Sequence, residues 1–295
     1  MPRPALARWR AAWMAAMAAR TRKDAILVSH LPAMAAATNL LRRTICPNTR
    51  QIAFAFNFTD LPQGWRRAWF EYALRGIDEF VVFSRFEQPL YAAHFGIPEE
   101  HIRFLPWAMD RPEPGPNSPV QGLLAPGSYL CAIGGEGRDY ALLAEVMRRM
   151  PEVPLVIVAR PYSIAGLNFP PNVRVFTNLP APETWRIAVD SRGLVIPLKT
   201  DTTACGHITL VGAQLLGVPL VITRSRGVED YVTEGETARL VMAGDADSLY
   251  DALGWLHHQP EAARAMAQRA CNLAEERSRL EIWVRYFADH QSTAA

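Results

Sequence analysis

The sequence predicts two Rossmann-like α/β domains in tandem, each built on a parallel sheet. Three observations carry this expectation. Short apolar runs alternate with amphipathic helical stretches, the pattern of strands buried on both faces. The alternation halts once, at Arg111–Gly127, where five prolines and three glycines crowd seventeen residues, and it restarts beyond. At 295 residues and 49% hydrophobic, the chain is long and apolar enough for two cores of ordinary size.

Residues 5–22 are alanine-rich, with Trp9, Trp13, Met14 and Met17 at helical spacing and arginines between them. The run AILVSH after Asp24 reads as a buried strand, 33–43 as a helix and Gln51–Phe56 as a strand. Gly64–Arg75 is amphipathic and helical, Glu79–Phe83 is a strand, and a helix runs from about Arg85 to Phe95. After the proline-dense stretch, Ser128–Ile133 is a strand, the glycine-rich residues 134–137 a turn and Tyr140–Met150 a helix. Pro154–Ala159 and Val173–Phe176 are strands. The helix Glu183–Asp190, the strand Leu194–Pro197, the helix His207–Leu216 and the strand Pro219–Thr223 follow. Helices at about 246–258 and 261–277 come next, and a last helix near 279–289. The expected organisation is residues 1–110, a linker 111–127, a second domain 128–278, and a helix within 279–295 that returns toward the first domain.

The longest uninterrupted apolar run, Ala11–Ala19, has nine residues, far short of the ~20 that span a bilayer. No long apolar segment follows the N-terminal arginines, so no cleavable secretory signal is expected. Cys46, Cys131, Cys205 and Cys271 stand singly, without a CxxC or a Cys/His cluster. That argues against a zinc site or a disulfide scaffold and fits a reducing, cytoplasmic setting. The net charge of +2 conceals an asymmetry, since residues 1–75 hold twelve basic and three acidic side chains. A basic end on a near-neutral chain points to an anionic partner. The first 23 residues contain six cations, no acid and two tryptophans. Arg8, Trp9, Arg10, Trp13, Arg20 and Arg22 suit the surface of an anionic leaflet, with Trp at headgroup level. The competing reading packs the Trp/Met stripe onto the sheet. Nucleic acid is disfavoured because no nucleic-acid-binding module is present.

Two loops in the second half suit a phosphate. Gly134, Gly135 and Gly137 follow a strand and precede a helix, so backbone N–H groups can approach an anion, with Arg138 as a charged clamp. The loop from Lys199 to Gly206 likewise runs from the carboxyl end of a strand into a helix that starts at His207 and carries Thr209. Each is also compatible with an ordinary strand-to-helix turn. Lys199 is one of only two lysines in the chain. Together the loops suggest a diphosphate site.

From Tyr129 to about Asn272 the order of motifs resembles the C-terminal domain of group 1 (family 4-like) retaining glycosyltransferases of the GT-B fold. YLCAIGGEGRDYALL is similar to that family's strand, glycine turn and R/K-D-Y helix. GHITLVGAQLLGVPLVIT resembles its G-x-x-x-L-x-E-A-x-x-x-G-x-P block. GVEDYVTEGETARLVMAGDADSLYDAL resembles the block that follows, and VVFSRFEQPLYAAHFGIPEEHIRFLPWAMD its interdomain stretch. The resemblance implies two Rossmann-like domains with parallel sheets facing across a cleft. It also implies transfer of a hexose from a nucleoside diphosphate sugar, UDP- or GDP-linked, with retention and without a metal or other cofactor.

This sequence departs from the family at named positions. The family's two donor-site glutamates fall on Ala204 and Gly212, Gly135 replaces an arginine, and Arg138 replaces a lysine. The N-terminal domain is shortened, lacking the family's opening strands and glycine-rich loop. The family's histidine near the reacting sugar has no counterpart in AFAFNFTD, which offers Asn57 to a sugar hydroxyl and Asp60 as a general base, or either as a cap of the following turn. His30 has the same position relative to its own strand. The expected function is therefore hexosyl transfer to a lipid-linked or polysaccharide acceptor at the cytoplasmic membrane face. The alternative is a catalytically weakened binding or partner subunit of a glycan-assembly system. A sugar-nucleotide epimerase is the weakest reading, because no acidic constellation suits it.

Overall fold

The computed structural model describes residues 4–202 and 204–292. The chain divides into two compact units, residues up to Pro106 together with those from Val284 on, and Trp107–Trp283.

In the first unit, strands β1 (Ile26–His30), β2 (Arg50–Phe54), β3 (Glu79–Val82) and β4 (Ile102–Phe104) form one parallel sheet in chain order. The connecting helices are α2 (Pro32–Ile45), α3 (Gly64–Leu74) and α4 (Glu87–Phe95), and α1 (Pro4–Ala19) precedes the sheet. Parallel strands laid down in one direction with right-handed crossovers put their helices on one face. A shared core results, in which Ala35 and Ala36 of α2, Phe70 and Leu74 of α3, and Tyr91 and Phe95 of α4 enclose Ala53 and Phe80. The last helix, α10 (Glu281–Ser292), packs on β2 and β3 from Val284 onward. Phe54 meets Phe287 at 5.3 Å between ring centroids, and Glu79 accepts from the Tyr286 hydroxyl at 2.8 Å.

On α1 the competing reading of the Trp/Met stripe does not hold. The helix's buried face is Ala12, Ala16 and Ala19, while Leu6, Trp9, Trp13 and Met14 are exposed, so the Trp/Met stripe does not pack on the sheet. Alanines at i, i+4 and i+7 let the helix approach α2 and β1 closely, and the large side chains are left outside that seam.

The second unit has six parallel strands: β5 (Leu130–Ile133), β6 (Leu155–Ala159), β7 (Val173–Thr177), β8 (Gly193–Ile196), β9 (Leu220–Thr223) and β10 (Arg239–Val241). Their order is β10-β9-β8-β5-β6-β7. Alternation within each strand feeds two cores. Cys131, Ile133, Leu194 and Ile196 point toward α6 (Ala181–Asp190) and α7 (His207–Leu215). Leu130, Ala132 and Val195 point toward α5 (Tyr140–Arg148) and α8 (Ala246–His258). The helix α9 (Pro260–Arg277) packs on α7. The proline-dense 111–127 stretch sits on this unit. Gly115 N–H donates to Pro182 O at 2.8 Å, Gly127 N–H to Asp190 O at 2.7 Å, and Val120 is in the core. Periodicity missed β4 and β10, edge strands of three residues each, too short to show an alternation.

Candidate functional site

Strand order makes β5 and β8 neighbours, although two strands separate them in sequence. The chain leaves β5 toward one edge of the sheet and β8 toward the other, with α5 and α7 on opposite faces. The carboxyl ends of two such strands are the topological switch point where open α/β sheets bind ligands. The loops 134–139 and 197–206 leave from these ends. They are laced together: Lys199 N–H donates to Gly137 O at 3.0 Å and Asp139 N–H to Pro197 O at 2.7 Å.

Arg138 lies at the centre, only 4% exposed. Its Nε donates to Ile133 O (3.3 Å), Nη1 to Glu136 O (3.0 Å), and Nη2 to the Thr209 hydroxyl (3.4 Å) in the first turn of α7. No carboxylate pairs with it among the described residues. Two carbonyls, the Thr209 hydroxyl and the Cys205 sulfur, 3.8 Å from Nη1, therefore surround the buried guanidinium. Glycine makes the room. A Cβ at Gly134 would stand 2.6 Å from Nη2, and one at Gly206 3.1 Å from Nη1. Both residues hold left-handed backbone, with φ +125° and +97°.

Gly134's own N–H donates to Val158 O at 3.0 Å, so the amides left for a ligand come from the residues after it. Gly206 is the N-cap of α7 and contributes no side-chain cap. His207 is buried, with Nε2 2.8 Å from Gly227 O. Burial, with Arg138's charge adding to it, lowers the His207 pKa from 6.5 to about 4, against the pull of that carbonyl. Burial raises the Cys205 thiol, opposed by Arg138. Lys199 and Asp201 are exposed.

Beside Gly134 and Gly135 lies an open hollow of about 140 Å³, with Ile133, Val158 and Leu179 in its wall and Arg160 and Asn178 at its edge. Arg160 Nη1 donates to Asn178 Oδ1 at 3.0 Å. Sequence reasoning missed both residues. Their signal was positional, because each follows directly on a strand of this sheet.

Gly212 faces a ring instead of space. A Cβ there would lie 2.3 Å from Cη2 of Trp185 on α6. The room beside Gly212 is therefore filled by an indole from a neighbouring helix. Ala204 is half-buried in the loop before α7.

In the first unit, Asn57 follows β2 and donates from Nδ2 to Glu87 Oε1 at 2.9 Å. Glu87 is fully buried and also accepts from Tyr91 OH (2.8 Å) and from the Ser84 amide and hydroxyl (3.0 Å each). Burial raises its pKa, and the four donors counter that. Asp60 and His30 are exposed. Sequence reasoning overlooked Glu87, although Ser84-Arg85-Phe86-Glu87 is an S-x-x-E capping box at a helix start. No group of three or more His, Cys, Asp or Glu side chains able to hold a metal occurs among the described residues.

No family model matches the chain. The solved structure of HepE from Anabaena with UDP-glucose superposes with a TM-score of 0.80 over 96% of this chain and 82% of that one, at 12% identity. Sucrose-phosphate synthase from Thermosynechococcus elongatus gives 0.73 over 91% of this chain and 73% of that one, at 15% identity. The fold is GT-B. In sequence, the chain is similar to a GDP-mannose-dependent α-(1-6)-phosphatidylinositol monomannoside mannosyltransferase of Mycolicibacterium smegmatis, 27% identical over 213 residues. That match covers 64% of this chain, and the chain spans about half, 55%, of the mannosyltransferase.

Proposed function

We propose that this GT-B chain is a glycosyltransferase. It takes a hexose from a nucleoside diphosphate sugar, UDP- or GDP-linked, and passes it to a lipid-linked or polysaccharide acceptor at the cytoplasmic membrane face. The observation that carries the reading is Arg138, a buried guanidinium without a carboxylate partner, flanked by two glycines at the switch point of the second sheet. A cation so placed leaves the site short of negative charge, and a diphosphate supplies it. The relatives whose names mention GDP-mannose and UDP-glucose support that choice of donor.

In the transfer, the bond from the anomeric carbon to the diphosphate oxygen breaks as the acceptor hydroxyl bonds to that carbon. Negative charge builds on the departing diphosphate. Arg138, the amides after Gly134 and the N-terminus of α7 stabilise it there, in a site whose dipoles need no rearrangement. Gly135 and Gly137 admit the phosphates, Thr209 fixes the guanidinium, and Lys199 adds an exposed second cation. On the first unit, Asn57, held by Glu87, is offered to the acceptor as a hydrogen-bond partner, and Asp60 as the base that takes its proton. The resemblance supports retention of configuration.

One observation favours a second reading, a binding or partner subunit with weakened catalysis. Trp185 occupies the room that a longer side chain at Gly212 needs, and Ala204 carries no polar group. One assay separates the two. The chain is incubated with UDP-glucose or GDP-mannose and a bacterial lipid extract, and released nucleoside diphosphate is measured. Transfer predicts lipid-dependent release that falls at least a hundredfold in Arg138→Gln. Binding without release would favour the partner subunit.

A further inference from the structure

Outside the second unit's switch point, the helical layer of the first unit carries a surface of its own. α2 packs between α1 and α3, and both neighbours expose large apolar side chains. On α3, Trp65, Trp69 and Tyr72 recur at i, i+4 and i+7, which sets them on one face, and Trp65 is 79% exposed. On α1, Leu6, Trp9 and Trp13 form a comparable ladder. Neither stripe belongs to a core, since Ala12, Ala16 and Ala19 seat α1, and Phe70, Ala73 and Leu74 seat α3. Exposed aromatic stripes of this extent mark an interaction surface.

Charge identifies the partner. Arg10, Arg20, Arg22 and Lys23 on or just after α1, and Arg66, Arg67 and Arg75 on or just after α3, are exposed around the two ladders. Arg43 of α2 lies over the Tyr72 ring, 5.4 Å from its centroid. The nearby acids are few: Glu71 is paired with Arg67 at 2.8 Å, and Asp24 and Asp60 lie in connecting loops. Trp and Tyr at headgroup depth, ringed by arginines, suit an anionic bilayer. The rings take the interface, and the guanidinium groups meet phosphates while their stems lie along apolar surface.

We infer that α1 and α3 form a two-helix docking face for the surface of an anionic lipid bilayer, with Trp9, Trp13, Trp65 and Trp69 as its anchors. The inference deepens the proposed action on a lipid-linked acceptor. It is tested without nucleotide, so its failure is distinguishable from failure of the donor site.

The full chain is floated with vesicles of phosphatidylcholine alone and of an equal mixture with phosphatidylglycerol, at low and high salt. Three variants accompany it: Trp9→Ser with Trp13→Ser, Trp65→Ser with Trp69→Ser, and Arg66→Gln with Arg67→Gln. All these side chains are exposed, so melting temperatures should stay near that of the parent chain. The expected result is binding to the anionic vesicles only, lost at high salt, and weakened about tenfold by each tryptophan pair and severalfold by the arginine pair. Absence of binding to anionic vesicles overturns the inference, as does binding indifferent to the α3 pair. A parent chain that stays off vesicles but dimerises, and that the Trp65/Trp69 variant returns to monomer, would assign the face to a second copy instead.

Discussion

Arg138 shows how one side chain can order two loops. Its donors reach a carbonyl at the end of β5, a carbonyl in its own turn and a hydroxyl on α7. The glycines beside it are required by contact as well as by backbone conformation. Gly206→Ala places a Cβ 3.1 Å from the guanidinium at φ +97° and should cost about 1–3 kcal/mol in urea unfolding while loosening nucleotide binding. Gly212→Ala drives a Cβ to 2.3 Å from the Trp185 ring, and overpacking of that kind should cost about 1–3 kcal/mol. His207 links the same loop to pH. Its folded pKa, about 4, lies below its ordinary 6.5, so the fold binds that proton more weakly than the unfolded chain. The contribution is complete above pH 6.5 and is lost as pH falls toward 4, on the order of 3 kcal/mol. Unfolding at pH 7 and pH 4 should show that loss in the parent chain and a smaller one in His207→Gln.

At the scale of elements, local chemistry explains what the sequence disclosed and what it withheld. The buried strands of the second unit were legible because their apolar runs end in glycine turns or helix starts, as Leu130–Ile133 does at Gly134. β4 and β10 were not legible, because pairing with a neighbour defines them more than their own three residues do. The face of α1 was ambiguous in sequence, where a tryptophan stripe serves a core or an interface equally well, and only the alanine seam against α2 decided it. Glu87 was hidden for another reason. A lone acid in a helix-start motif reads as an exposed cap, whereas the fold buries it beneath Asn57 and Tyr91. Glu87→Gln sets an amide N–H₂ against one of two donor pairs and should cost about 1–3 kcal/mol, read by thermal or urea unfolding.

At the scale of the molecule, the charge asymmetry and the fold assign different tasks to the two units. Exposed cations of residues 1–75, among them Arg10, Arg20, Arg66 and Arg67, lie on or beside α1 and α3, which carry the aromatic ladders. The second unit, with 20 acidic and 16 basic side chains, holds a buried cation at its switch point. No described helix is long and apolar enough to cross a membrane. The order of glycine turn, Arg138, Gly206 and α7 was legible in the sequence as a series of motifs. The convergence of the two loops on one guanidinium was not, because it depends on β5 and β8 being neighbours across a gap of two strands. The central claim is that this guanidinium awaits a nucleoside diphosphate. Calorimetric titration of the full chain with UDP, GDP, ADP and CMP, repeated on Arg138→Gln and Arg138→Lys, tests it most directly. The account predicts selective binding of UDP or GDP, lost in the glutamine variant and partly kept in the lysine variant. Absence of binding by every nucleotide, or binding equal in parent and glutamine variant, would contradict it.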